Sequence, residues 1–262
     1  MNLELDGKIA LLTGASRGLG FATAQVLAEE GVRIAINGRN ESSLKAAADE
    51  LASFGAEVIA LPGDVTDLKT PEALIQAVKS AFGGLDLLFT NAGGPPPSAF
   101  ENIEEETWQH AIDLSFMSHV RLIRASLPHL RQSSAPSVLT VTSISVKQPI
   151  PNLVLSNSIR AATAGLTKTL ALELGSDGIR FNSILPSWTQ TDRVEKLLED
   201  RAARKGTTLE EEIEAQNEIS PLGRMGTPEE FARAAVFLLS PAASYLTGVM
   251  LPVDGGFYQG LF

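Results

Sequence analysis

Eight residues, Thr13-Gly14-Ala15-Ser16-Arg17-Gly18-Leu19-Gly20, follow a short apolar run and open a helix-like one. Glycines spaced in this way let the backbone turn tightly and approach a pyrophosphate, while the helix start supplies free N–H groups and partial positive charge. The spacing is G-x-x-x-G-x-G, not the general G-x-G-x-x-G, and a plain strand-to-helix turn could share it. Past the next apolar run stands Asn37-Gly38-Arg39. An acid there would accept hydrogen bonds from a ribose 2′-hydroxyl and repel a 2′-phosphate. None is present, and Arg17 and Arg39 offer the fixed bidentate donors that suit a phosphate. The residues therefore favour NADP(H) over NAD(H).

Other reactive residue types are less organised. Lys147 could titrate near neutrality if desolvated, although an exposed loop lysine is the commoner case. His110, His119 and His129 are nine and ten residues apart and form no metal pair; they read as surface or interface histidines. Glu104-Glu105-Glu106 and Glu210-Glu211-Glu212 read as solvated helix faces. Trp188 is either a core residue or a platform for a ring. Cysteine is absent, which excludes disulfides, thiolate catalysis and Cys-ligated metal.

The elements that must position these residues alternate along the chain. Strand-like runs at 9–13, 33–36, 58–61, 85–89, 137–141, 179–184 and 248–253 are short and apolar with little polar alternation. Helix-like stretches separate them: 22–30 closed by Gly31, 44–54, 71–82, a long one at 105–130, 153–174 and 229–239. Such a pattern predicts one α/β domain over residues 1–262, a doubly wound parallel sheet of the Rossmann type with helices on both faces. The segment 189–224, rich in Glu, Lys and Arg, falls outside the alternation. It is either a solvated helical excursion or a flap over a ligand site.

Several ordered motifs carry a resemblance to the short-chain dehydrogenase/reductase family, from about Leu5 to the terminal Pro252-Val253-Asp254-Gly255-Gly256. Thr13 to Gly20 resembles its TGxxxGxG. Asp64-Val65 resembles its adenine-contacting pair, and Asn91-Ala92-Gly93 matches its N-A-G. Asn182 and Pro186 occupy the N and P of its N-x-x-x-P-G stretch, with Ser187 in place of the glycine. The resemblance implies a cofactor held by Gly14, Ser16, Arg17, Gly18, Leu19, Gly20, Arg39, Asp64, Val65, Asn91, Ala92, Gly93, Arg160, Pro186, Thr189 and Thr191.

The family's active site is an Asn, Ser, Tyr, Lys tetrad in which tyrosine exchanges the proton, lysine binds ribose and lowers the tyrosine pKa, and serine orients the substrate oxygen. Residue by residue, the serine is kept as Ser143, but the tyrosine position holds Ser156 and the lysine position Arg160. The asparagine position falls on Ser115, or on Asp113 if the register slips. Misalignment does not restore the tyrosine: the chain has only Tyr245, in the turn before the last strand and read as structural, and Tyr258, which reaches a site only through a folded-back tail. Lys168 lies eight residues beyond Arg160, roughly 12 Å along a helix, too far to replace it. An aliphatic hydroxyl starts several units above the phenol's pKa of about 10, and an arginine keeps its proton, so neither takes over proton transfer. Arginine still binds ribose or polarises a carbonyl as a fixed cation.

A chain of 262 residues with a net charge of −10 does not suit nucleic acid or an anionic membrane as partner. No signal peptide is read at Met1-Asn2-Leu3 and no apolar run reaches about 18 residues, so a cytoplasmic protein is expected. The resemblance implies an NADP(H)-dependent oxidoreductase acting on a small carbonyl or alcohol, similar to 3-oxoacyl-carrier-protein reductases, with an altered proton-transfer site. The alternative is a catalytically silent NADP(H)-binding protein that senses or scaffolds. A homotetramer is implied as well, with the apolar tail Phe257 to Phe262 covered by a neighbour.

Overall fold

The computed structural model describes residues 2–261, so Met1 of the amino-terminal segment and Phe262 of the apolar tail lie outside the described residues. Seven strands form one sheet: β1 (Ile9–Leu12), β2 (Arg33–Gly38), β3 (Val58–Pro62), β4 (Leu87–Thr90), β5 (Ser137–Val141), β6 (Arg180–Pro186) and β7 (Met250–Val253). Their order is β3-β2-β1-β4-β5-β6-β7, and every pairing is parallel. The helices between them are α1 (Gly18–Glu29), α2 (Glu41–Ala52), α3 (Thr70–Phe82), α4 (Glu105–Ile112), α5 (Ser118–Leu130), α6 (Val154–Glu173), α7 (Asp192–Lys205), α8 (Leu209–Glu218) and α9 (Pro228–Leu239).

Alternate strand residues serve opposite faces, as a pleated strand requires. Ala10, Leu12, Ile34, Ile36, Leu87 and Phe89 pack with α1, α2 and α9. Ile9, Leu11, Ala35, Leu88 and Val138 pack with α3 and α5. Both faces are dry, which explains strands without polar alternation. The strand order reverses between β1 and β4, and in such sheets the crevice beyond the strand carboxyl ends at that reversal is where ligands bind. No helix among the described residues is long and apolar enough to cross a membrane.

Two expected boundaries move for physical reasons. The first helix begins at Gly18, four residues before the apolar periodicity starts, because its amino-terminal turn is the glycine turn itself. The long helix expected over 105–130 is divided into α4 and α5 by one π-helical turn, Asp113–Met117. The segment 189–224 is helical: α7 and α8 lie against each other, and Glu212 of α8 accepts hydrogen bonds from Lys205 Nζ and Thr207 Oγ1.

Candidate active site

The glycine turn is held from below by its neighbour strand. Thr13 Oγ1 donates to the Asn91 carbonyl at 2.8 Å, Asn91 N donates back to Thr13 Oγ1, and Asn91 Nδ2 donates to the Gly14 carbonyl. A Cβ at Gly14 would stand 2.8 Å from the Asn91 carbonyl oxygen, so only glycine fits there, and its φ of +58° is also one that glycine favours. Helix α1 then starts without a side-chain cap and without an acid in its first turn. Its first N–H groups remain available to an anion, and a dinucleotide pyrophosphate fits this cradle.

The elements on either side meet at the same place. A Cβ at Gly18 would stand 3.7 Å from the Thr191 methyl of the 189–224 segment, and Arg17 Nη1 lies 3.7 Å from the Asp192 carboxylate. Arg39 Nη1 is 3.8 Å from Asp64. Both arginines are exposed, so these pairs contribute little and leave the guanidinium groups open to a phosphate. Burial pushes the Asp64 carboxyl up, but the Thr66 N–H and hydroxyl and the nearby Arg39 outweigh it and lower the pKa. Asn37 is not a reader of the ribose: its buried amide donates to the Leu61 and Gly63 carbonyls and ties β2 to β3. It is Gly38 that faces Ser16. Val65 is buried in the core beside α3, and Gly93 has open space where a Cβ would stand.

A cavity of about 170 Å³ opens beside this cradle. Ser143, Ser156 and Arg160 all line it, together with Leu19, Asn91, Ala92, Pro186, Thr189 and Thr191. The apolar wall is made by Ile150, Leu153, Val194 and Leu197, and Trp188 lines it too, with Arg201 stacked 4.7 Å from its ring centroid. Ser187, which replaces the family's glycine, contributes a buried hydroxyl with no partner among the described residues. No carboxylate among the described residues lines the cavity.

Arg160 is not a free tip. It is 8% exposed, and its Nη1 donates to the Val141 and Thr142 carbonyls at the carboxyl end of β5, at 3.1 and 3.0 Å. Burial first, and then the positive charge of Arg193, push its pKa down to about 10, so it is still a cation at neutral pH. Ser143 caps a short 3₁₀ turn, its Oγ accepting from Ser145 N at 3.1 Å. Ser115 is not brought to the cavity. It sits in the π-helical turn, its hydroxyl buried without a partner among the described residues, while its carbonyl accepts from Thr163 Oγ1. Asp113 is occupied by Arg121 at 2.9 Å.

Two readings from the sequence are corrected here, those of His119 and Tyr245. His119 is not a surface histidine: it is fully buried, its Nδ1 lies 2.7 Å from Thr90 Oγ1, and burial followed by the Arg160 charge pushes its pKa down to about 3. Tyr245 is fully exposed and supports nothing in its own chain. Tyr258 does come back: the tail turns on Asp254, which accepts from Tyr258 N, and Lys147 Nζ lies 5.1 Å from the Tyr258 ring centroid. Neither Lys147 nor Tyr258 lines the cavity.

Arg193 escaped the sequence reading. It lies in the first turn of α7, its guanidinium beside Gly94 and donating to the Pro95 carbonyl at 3.1 Å. The residue as a whole is exposed, but its guanidinium end is sheltered, and burial lowers its pKa. One signal was available: a cation in a helix's first turn opposes the macrodipole, which favours the acids Asp192 and Glu195 found beside it.

Comparison with known proteins agrees with this architecture. Residues 14–258 match the family described as enoyl-(acyl carrier protein) reductase. A 3-oxoacyl-[acyl-carrier-protein] reductase of Vibrio cholerae is 33% identical over 257 residues, covering 98% of this chain and all of that one. The L-sorbose reductase of Gluconobacter frateurii, solved with NADPH and L-sorbose, superposes with a TM-score of 0.95 at 33% identity over the whole of both chains. An NADPH-bound short-chain oxidoreductase of Pseudomonas aeruginosa, described as containing an atypical catalytic center, gives 0.88 at 32% identity over 97% of each chain. The glycine cradle, the N-A-G turn tied to it and these full-length matches show that the chain belongs to the short-chain dehydrogenase/reductase family.

Proposed function

We propose that the protein is an NADP(H)-dependent oxidoreductase that interconverts a carbonyl and an alcohol without a tyrosine acid. The observation that carries this reading is the convergence of Ser143, Ser156 and Arg160 on one cavity beside the glycine cradle. Relatives of this architecture are NADPH complexes, which supports the same cofactor here. The pyrophosphate would lie on Gly14, Ser16, Gly18, Leu19 and Gly20, a 2′-phosphate between Arg17 and Arg39, and the adenine by Asp64 and Val65. Asn91, Ala92, Gly93, Pro186, Thr189 and Thr191 would flank the nicotinamide half. Bound NADPH supplies a hydride to the carbonyl carbon.

The chain's own residues then have two tasks. Ser143 and Ser156 donate hydrogen bonds to the carbonyl oxygen, and Arg160 places a fixed positive charge near the negative charge that grows there. The proton reaches that oxygen from water, because the cavity lining among the described residues contains no carboxylate, histidine, lysine or tyrosine. Loss of a positioned general acid slows such a reaction about 10²–10⁴-fold. The enzyme is therefore expected to be slow on simple ketones and faster on activated ones.

Stopped-flow absorbance of NADPH oxidation with a panel of ketones, diketones and acyl thioesters tests the reading. Carbonyl-dependent oxidation that disappears in Ser143→Ala supports it. NADPH binding with no oxidation by any member would make the protein a silent dinucleotide binder instead.

A further inference from the structure

We infer that Arg193, together with Arg160, holds an anionic group of the substrate, so that the preferred substrates are oxo acids whose carboxylate adjoins the reacting carbonyl. The inference rests on the reading of the cavity as a reductase site and names the substrate class of that site.

Both guanidinium groups close on one point. A Cβ at Gly94 would stand 2.5 Å from Arg193 Nη2 and 3.3 Å from Arg160 Nη2. Arg160 spends its Nη1 on two backbone carbonyls, while its Nη2 makes no hydrogen bond among the described residues. Arg193 has one protein partner, the Pro95 carbonyl, and neither arginine has a carboxylate partner among the described residues. In a chain with 31 acidic and 21 basic residues, two facing cations without a counter-ion in one cavity are not an average surface. Buried or sheltered charges are ordinarily paired, and here each arginine's pKa is lowered by burial.

The cofactor does not account for this charge. Its pyrophosphate has the α1 amino terminus, its 2′-phosphate has Arg17 and Arg39, its nicotinamide ribose offers Arg160 only neutral hydroxyls, and an oxidised nicotinamide ring is itself a cation. A neutral carbonyl needs only the hydroxyl donors of Ser143 and Ser156. A carboxylate placed between the two Nη2 groups would satisfy both planar forks, and the apolar wall of Ile150, Leu153, Val194 and Leu197 would strengthen the contact by excluding water. The carbonyl next to that carboxylate then lies at the serine hydroxyls. In reduction, the hydride from NADPH adds to the carbonyl carbon, the π pair moves to oxygen, and a proton from water completes the 2-hydroxy acid.

The test compares wild type with Arg193→Met and Arg193→Lys. Calorimetry measures oxamate binding to the protein saturated with NADP⁺, and separately NADPH binding. Steady-state rates are taken with 2-oxobutanoate and with pentane-2,3-dione, which has the same skeleton with the carboxylate replaced by acetyl. A charge-assisted pair is worth about ten- to a hundredfold. Arg193→Met should therefore weaken oxamate at least tenfold and lower kcat/KM for 2-oxobutanoate similarly. Its kcat/KM for the dione and its NADPH affinity should stay within twofold, and Arg193→Lys should fall between.

Oxamate binding that is equal in wild type and Arg193→Met overturns the inference, as does a parallel loss of NADPH affinity, which would assign the arginine to the cofactor. Dione reduction without oxamate binding removes the anion site and leaves the reductase reading. Arg193-dependent oxamate binding without reduction of either compound leaves the anion site and removes the reductase reading.

Discussion

His119 makes the stability of this protein depend on pH between pH 8 and pH 5, above the ordinary carboxylate range. The imidazole is fully buried on α5 against Thr90, and burial and the neighbouring Arg160 push its pKa down to about 3 from an unfolded value near 6.5. A base whose pKa is lower in the folded state binds its proton more readily when unfolded. The stability is therefore fully present above pH 6.5 and is lost as pH falls from there toward 3. The slope approaches about 1.4 kcal/mol per pH unit, which gives a loss of about 2 kcal/mol between pH 8 and pH 5. Arg160 stays charged throughout this range in both states and adds no slope. Asp64, Asp113 and Glu230, whose pKa values are lowered in the fold, lose their contribution only below the ordinary carboxylate range near 4. Urea unfolding at pH 8 and pH 5, followed by Trp108 and Trp188 fluorescence at fixed protein concentration, measures the difference. His119→Gln keeps a polar partner for Thr90 and should remove most of the 2 kcal/mol difference. An undiminished difference in the variant, or a His119 titration near pH 6.5 by NMR in the folded protein, would refute the reasoning.

The remaining predictions concern the site and the assembly. Arg39→Asp should reverse the cofactor preference from NADP(H) to NAD(H) in calorimetric titration, because it removes a phosphate donor and supplies an acceptor for the ribose 2′-hydroxyl; an unchanged preference would remove Arg39 from the phosphate site. Ser156→Tyr with Arg160→Lys should raise reduction of an activated diketone about 10²–10⁴-fold, with either change alone doing much less, since a phenol needs the adjacent lysine to reach a working pKa. A folded double variant that binds NADPH without gaining rate would show that more than proton transfer has changed. The protein is expected to be a tetramer by light scattering, with Leu172 of α6 and Leu261 of the tail, 76% and 92% exposed in one chain, covered at interfaces; a stable micromolar monomer contradicts this.

The sheet was legible because the strands are short, largely apolar runs and each but the last is followed by a helix, the local pattern of a covered parallel sheet. The cradle was legible because its glycines are adjacent in sequence. Residues that meet only through the fold were harder to read. Arg193 reaches Arg160 because α7 starts over the glycine turn, and no periodicity in the segment 189–224 announces that placement. His119 could not be called buried from spacing, since the π-helical turn before α5 changes which face looks inward. Ser115 occupies that same turn, so counting along an ideal helix did not show that its hydroxyl misses the cavity. Asn37 ends a strand at the expected place, but its amide turns down to the next strand's carbonyls, a choice made by unpaired backbone groups and invisible to a motif.

The central claim is that hydride passes from NADPH to a carbonyl in a cavity where, among the described residues, the reactive side chains are hydroxyls and arginines. Single-turnover reaction of the wild-type protein with NADPH deuterated at the nicotinamide C4, with mass spectrometry of the product, tests it most directly. The account predicts deuterium on the carbinol carbon of the alcohol, at a rate that falls in Ser143→Ala and Ser156→Ala. Cofactor that stays fully deuterated in the presence of both 2-oxobutanoate and pentane-2,3-dione would contradict it.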